Sequence, residues 1–361
     1  MSSRKTVAFY LPAYYPFPEN DEFWGPGFTE WDNVKRAVPN YGGHIQPNIP
    51  KYGYQEFDNP GFFLDHMKLA QENSISAFCI YSYWFSGKRV MTRIFDYLAE
   101  IEETPIDFCI AWANENWTRR WDGAESDILI EQVHNPVFDA NFIDDHLKVF
   151  RHPNYLRING KPVLLIYRPN LMKEPLLTIE NIRVRARELG LGELHLLMVQ
   201  FFQERDPRPF GLDGAVQFPP NLPKRRIFPN GHHPEFTGKL FDYDEVVELC
   251  LSSKSEFLEY QGVMPGWDNT PRKLRNAHIY YGATGYKFTS WIRSAWQKME
   301  INLPEDDDKV LFINAWNEWG EGAHLEPGNG DQFDSLQIVK TVFEEQYGGQ
   351  KKAPETTSSL E

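Results

Sequence analysis

Glu318 and Glu321 stand three residues apart in the segment AWNEWGEGAHLEP, residues 315–327, with a third carboxylate at Glu326. On a helical or tight turn that spacing puts two side chains on one side of the backbone, roughly 5–6 Å apart at Cβ. Carboxylates held that close push their pKa values apart, so one keeps a proton near neutrality as an acid while the other stays ionised as a base. Glycosidic bond cleavage needs this division, because the leaving oxygen must be protonated while an oxocarbenium-like centre is attacked. Gly320 and Gly322 flank Glu321 and let the backbone turn sharply close to a ligand. The plainer alternative is a pair of surface glutamates opening a helix, where the macrodipole favours acids. Trp316 and Trp319 are unusual residues for such a solvated start. Glu326, followed by Pro327, is either a third acid of the site or a residue that closes the loop.

The elements that must hold these groups are legible as eight short apolar runs, beginning at Val7, Ala77, Phe108, Pro162, His195, Gly214, Gly262 and Val310. Stretches of helical periodicity alternate with them, for example 60–73, 90–103, 178–189, 243–260 and 335–347. This alternation is the pattern of parallel strands joined by crossover helices, and eight repeats predict an α/β fold of the (β/α)₈ TIM-barrel type. A doubly wound open sheet would need a Gly-rich phosphate turn after its first strand, where this chain has PAYYPFP. The long connections 15–59 and 218–241 read as loops decorating the barrel mouth. One catalytic domain over 1–347 and a C-terminal tail over 348–361 complete the expected organisation.

Nearly every run is apolar at its start and polar or aromatic at its carboxyl end. Tyr10 closes the first. Tyr81, Tyr83 and Trp84 close the second, and Trp112, Asn114, Glu115 and Trp117 the third, continued by Arg119, Arg120 and Trp121. The remaining ends carry Tyr167, Gln200, Gln217, Trp267 and then Asn314, Trp316 and Asn317 ahead of Glu318; His44 and Gln46 lie in the first long loop. In a barrel these ends converge on the face where catalysis takes place. Flat rings stack on the C–H faces of sugars, and amides, carboxylates and guanidinium groups bond their hydroxyls. Taken singly, each residue is also explained by packing or a turn. Taken together they are expensive to bury without a purpose.

The composition narrows the partner. With 51 acidic against 37 Lys and Arg residues the formal charge is −14, which repels phosphate backbones, so nucleic acid is not expected. Aromatics reach 15% with 11 Trp, which favours an oligo- or polysaccharide. Cys79, Cys109 and Cys250 are odd in number, and the first two lie inside apolar runs, where free cysteine behaves as a small hydrophobe, so a reduced compartment is expected. No apolar segment behind the basic start reads as a signal peptide or membrane span, so a cytoplasmic location is expected. No metal or cofactor is expected, since His232 and His233 are adjacent in sequence and point apart in an extended chain, and no HExxH or Cys pair occurs. Oligomeric state is not encoded in any of these signals.

The motifs FYLPAYYPFPENDEFWGPGFTEWDNV, HIQPNIPKYGY, YSYWFSGKR, WANENWTRRWDG and NAWNEWGEGAHLEP resemble, in this order and over about residues 5–347, the glycoside hydrolase family 99-like domain of WbsX type from bacterial surface polysaccharide pathways. The resemblance implies a (β/α)₈ barrel related to endo-acting, retaining α-mannosidases and mannanases. It implies that Glu318 activates the sugar 2-hydroxyl as an internal nucleophile through a 1,2-anhydro intermediate, and that Glu321 is the general acid/base. The spacing itself shows only a carboxylate pair and leaves a direct nucleophile open. PGWDNT, residues 265–270, carries Trp267 where the related hydrolases have tyrosine, and WANENW places its glutamate differently, so the substrate need not be mannose. The resemblance equally carries a glycosyltransferase reading. A nucleotide-sugar enzyme would hold a diphosphate through a metal or clustered cations, for which PKRRIFPNGHH, residues 223–233, with Arg205 and Arg208, is the one candidate. An inactive glycan-binding barrel is the third alternative.

Overall fold

The computed structural model describes residues 3–348 apart from 58, 120–123, 202, 222–224, 228–230 and 331. Arg120 and Trp121, expected at the site, and the tail beyond 348 therefore lie outside the described residues.

The barrel strands are β1 Arg4–Tyr10, β2 Ala77–Phe85, β3 Asp107–Trp112, β4 Lys161–Ile166, β5 His195–Val199, β6 Gly214–Val216, a split β7 of Glu259–Tyr260 and Gly262–Val263, and β8 Lys309–Ile313. All pair in parallel, in the order β7-β6-β5-β4-β3-β2-β1-β8-β7. The two pieces of β7 flank Gln261: the first pairs with β6 (Ala215↔Glu259) and the second with β8 (Val263↔Ile313), which closes the sheet. Backbones crowd at this closure. A Cβ on Gly262 would stand 1.9 Å from the Gln217 carbonyl oxygen, so only glycine fits.

Because both faces of such a sheet are covered, its strands are apolar throughout rather than alternating. β4, for instance, buries Pro162–Ile166, and β8 buries all five of its residues. Within the first loop, α1 Glu30–Lys35 packs on the turns Thr270–Lys273 and Trp319–Glu321, whereas the outer layer includes α2 Pro60–Glu72, α3 Pro175–Glu188, α4 Tyr243–Ser252, α5 Gly285–Asn302 and α6 Ser335–Tyr347. In α5, Phe288, Trp291, Ile292, Ala295, Trp296 and Met299 form one buried stripe at helical spacing, started by Thr284, whose hydroxyl accepts the Lys287 N–H.

The expected barrel is therefore present, with local corrections. The helix expected over 90–103 shortens to Arg93–Leu98, since Lys88–Val90 folds back antiparallel onto the end of β2. The helix expected over 243–260 stops at Ser252, because Glu259 and Tyr260 are needed in the sheet. Between β5 and β6 only a three-residue turn, Arg208–Phe210, takes the place of a crossover helix among the described residues. The decorating loops carry structure of their own: Lys239–Asp242 pairs with His278–Tyr281 from the loop after β7.

Candidate active site

Glu318 ends a two-residue strand, Asn317–Glu318, paired antiparallel with Ala323–His324, and a single 3-10 turn, Trp319–Glu321, lies between them. This turn brings the two carboxylates to one guanidinium. Arg272, from the helical turn Thr270–Lys273 after β7, donates through Nη2 to Glu318 Oε2 (3.0 Å) and through Nη1 to Glu321 Oε1 (2.5 Å). Its Nε donates to Glu30 Oε1 (2.8 Å) at the start of α1, where a Thr29–Asp32 capping box fixes the helix end. Three carboxylates thus meet on one planar fork. Glu30 is fully buried, the Glu318 and Arg272 side chains are 8% and 9% exposed, and that of Glu321 is 20% exposed.

Gly320 serves this cluster. A Cβ there would lie 1.9 Å from Glu30 Oε1 and 2.7 Å from Arg272 Nε, so the close approach it allows is to the ion cluster. Gly322 adopts a left-handed conformation (φ 58°) and packs on Asp268. Among the described residues no group of three or more His, Cys, Asp or Glu side chains is arranged to hold a metal ion.

The electrostatic consequence falls on Glu318. Burial, then the neighbouring Glu321 charge, push its carboxyl up to about 8 against the opposing pull of Arg272. With a folded value above the unfolded one, Glu318 favours folding most below about 4.5, and that contribution is lost as pH rises through about 8. His146 and His195, pushed down to about 4 by burial, act oppositely, but their gain is complete by about pH 6.5. The wild-type urea midpoint should therefore fall between pH 6.5 and 8, and Glu318→Gln should flatten that fall. An equal slope in both proteins would show that Glu318 binds no extra proton in the folded state.

A cavity of about 370 Å³ opens beside the pair, lined by Tyr81, Tyr83, Glu115, Trp117, Tyr167, Trp267, Glu318 and Glu321 from the sequence-derived set. Asn116 of the WANENW stretch lines it as well, and so do Arg272, Lys273, Asn221, Asn269, His278, Phe201 and Phe218, which were not singled out by spacing. A second cavity of about 500 Å³ shares Trp267 as a wall and adds Tyr41, His44, Asp268, Tyr281 and His324. Here the Asn40 N–H donates to His44 Nδ1 (2.9 Å), leaving Nε2 to donate to Asp268 Oδ2 (2.6 Å), which also accepts from Gln46 Nε2 (2.6 Å). These bonds and those from Thr270 hold the Asp268 carboxyl below its ordinary value although burial opposes them.

The other expected residues occupy supporting positions outside both linings. Asn114 accepts the Arg168 N–H (2.7 Å) and donates to its carbonyl (2.9 Å), and Asn317 does the same with Leu11 (2.8 and 2.9 Å). Each amide extends the ladder between neighbouring strand ends. Gln200 and Gln217 turn to Glu259 (2.8 and 2.9 Å), whose buried carboxylate needs donors. Tyr10 and Trp316 reach His66 on α2 (3.1 Å each), and His66 Nε2 meets Glu326 Oε1 (3.2 Å). Glu326 also accepts from Trp319 Nε1 (2.7 Å) and is held below its usual value, chiefly by His66 against burial, so it buttresses the Trp319–Glu321 turn from behind. Trp84 donates to Asp145 (2.6 Å), and Trp112 donates to the Trp84 carbonyl (3.0 Å) and stacks on Phe142 (4.9 Å). Asn314 is buried, and both polar atoms of its side chain lack a partner. The backbone of Arg119 belongs to a short strand, Trp117–Arg119.

Comparison with known proteins agrees with this architecture. The family model described as "Glycosyltransferase WbsX" matches residues 6–339. The WxcX proteins of two Xanthomonas campestris pv. campestris strains are each 42% identical over 327 residues, covering 89% of this chain and 47% of the relative, so the chain spans about half the length of the curated relatives it matches. The fold is similar to that of the GH99 endo-alpha-mannosidase from Bacteroides thetaiotaomicron in complex with bis-tris-propane (TM-score 0.58, 16% identity, 95% and 97% of the two chains). It is equally similar to a structure described as a glycoside hydrolase-like protein (TM-score 0.59, 16% identity, 95% and 94%).

Proposed function

The chain belongs to the WbsX glycosyltransferase family, and from that premise we propose that it is a retaining, endo-acting enzyme that cleaves a bacterial surface polysaccharide without a nucleotide-sugar donor. The observation that carries this reading is the carboxylate pair on one guanidinium at the rim of a cleft. In the proposed division, Glu321, the more exposed of the two, protonates the leaving oxygen. Glu318 takes the proton of the 2-hydroxyl as that oxygen attacks the anomeric carbon. A carboxyl pushed up to about 8 is, once ionised, a stronger base than an ordinary carboxylate. Before substrate binds, the proton retained near neutrality resides on Glu318. It belongs to the pair, and the roles require it on Glu321 in the complex.

The endo-acting element is supported by two cavities that share the Trp267 wall, which give room for sugars beyond the one attacked. The transferase reading is less favoured by the cations available. Arg208 is paired with Asp206 (2.8 Å), Arg225 with Asp242 (2.6 Å), and Arg205 stands 3.9 Å from Glu259, so these charges are already matched. Residues 222–224 and 228–230 of that basic segment lie outside the described residues.

The test is a panel of surface-polysaccharide fragments and manno-oligosaccharides with product anomers followed by NMR. Retention with internal cleavage is expected; inverted product or release from chain ends alone would refute the mechanism. Calorimetric titration with sugar nucleotides, with and without Mg²⁺, should show no micromolar binding. Such binding would reverse the choice between cleavage and transfer.

A further inference from the structure

Three carboxylates, Glu30 and Glu318 buried and Glu321 partly exposed, share one cation at this site, and only two of them reach the cleft. Glu30 does not line either cavity, yet it takes the Nε donor of Arg272 at 2.8 Å, and its Oε2 is buried without a hydrogen-bond partner. A structural anchor for Arg272 needs no unpaired carboxylate oxygen. A second negative charge placed beyond the guanidinium has a different effect, because it offsets the cation that would otherwise keep both Glu318 and Glu321 ionised.

We propose that Glu30 is a positioning residue whose charge, acting through Arg272, adds to burial and to the mutual repulsion of Glu318 and Glu321 in making the pair retain one proton at neutral pH. The inference rests on the division of acid and base proposed above, since a pair that must supply both needs that proton before substrate arrives. With all groups ionised, the cluster carries three negative charges against one positive, in a place where burial makes excess charge costly. Uptake of one proton by the pair halves that excess. Among the other titratable groups, Tyr14 from the loop after β1 and Tyr81 and Tyr83 from β2 are set toward Glu318, all raised by burial and therefore neutral at this pH. Glu115, Tyr167, Lys273 and His278 line the same cavity. Arg272 is the cation acting on Glu318, and Glu30 and Glu321 the anions. The sequence places Glu30 where this effect is fixed rather than adjustable: it is the first residue of a capped helix, and its carboxylate packs over the bare Cα of Gly320.

The experiment uses the full chain labelled with ¹³C at the glutamate carboxyl carbons, with the Glu318 signal assigned from Glu318→Gln and titrated from pH 4 to 9. The wild-type signal should titrate near the raised value of about 8. In Glu30→Gln, which preserves shape and an oxygen to accept from Arg272, the midpoint should fall by about one pH unit or more. Glu30→Asp keeps the charge and should keep a raised midpoint, which separates charge from packing. A wild-type Glu318 that titrates with ordinary carboxylates overturns the proposal without any variant. So does an unchanged midpoint in Glu30→Gln, or a midpoint that drops as far in Glu30→Asp as in Glu30→Gln. No glycan enters the measurement, so a chain that cleaves none can still pass it, and an active hydrolase can still fail it.

Discussion

Glu321→Gln should lower cleavage of an unactivated oligosaccharide by about 10²–10⁴-fold, the range that general acid catalysis supplies. The first step of the same variant, read as a burst of leaving-group release, should be largely spared on a substrate whose leaving group needs no proton, such as a glycosyl fluoride or dinitrophenyl glycoside of the sugar found in the panel. Turnover should stay slow, because water still lacks its base. The reason is specific to position. Glu321 faces the cleft with 20% of its side chain exposed, and one of its oxygens is engaged by Arg272 Nη1. Glu318→Gln should behave differently, because a leaving group of any quality still requires the 2-hydroxyl to lose its proton. That variant should be slow on both substrate types. Pre-steady-state release of fluoride or dinitrophenol from the activated substrates, set beside reducing-end release from the unactivated ones, checks the assignment for the two variants. If Glu318→Gln is the one rescued by a good leaving group, the raised carboxyl is the acid and the roles are exchanged. Full activity of Glu321→Gln on the unactivated substrate would remove it from the chemistry altogether.

The barrel was readable because each strand is covered on both faces and therefore appears as an unbroken apolar run, as β4 and β8 do. The carboxylate pair was readable because its members are local in sequence. The partner that unites them was not: Arg272 lies 46 and 49 residues from Glu318 and Glu321 and 242 from Glu30, and contacts of that separation leave no spacing signal in one chain. Two hints were present, the arginine following PGWDNTP and the glutamate inside FTEWDNV, though the latter is indistinguishable from an acid favoured by a helix start. Strand alternation explains why only part of the polar strand ends reaches the cleft. Tyr81 and Tyr83 line it, whereas Trp84, one residue on, points to the helix layer and Asp145. In the same way Asn114 and Asn317 spend both amide groups on neighbouring backbone, a use that no count of polar residues separates from binding a sugar.

Arg272→Met should be the most damaging substitution for stability, by about 3–5 kcal/mol, because it removes the cation from a buried ion cluster and leaves the acids behind. Methionine fills similar volume, so a packing defect contributes little and the loss should follow charge. That makes the effect dependent on pH in a definite direction. Without Arg272 the buried carboxyls prefer their protonated forms in the folded chain even more than Glu318 does already. Stability is then present at low pH and lost as pH rises, the sign that follows from tighter proton binding in the folded state. The difference between wild type and Arg272→Met in urea midpoint should accordingly be larger at pH 8 than at pH 5. Arg272→Lys should fall between them, since one ammonium retains the charge but cannot present a planar fork to Glu30, Glu318 and Glu321 at once. A deficit that is equal at both pH values, or greater at pH 5, would mean that Arg272 stabilises this loop by packing and that the proton economy of the pair is set by burial alone.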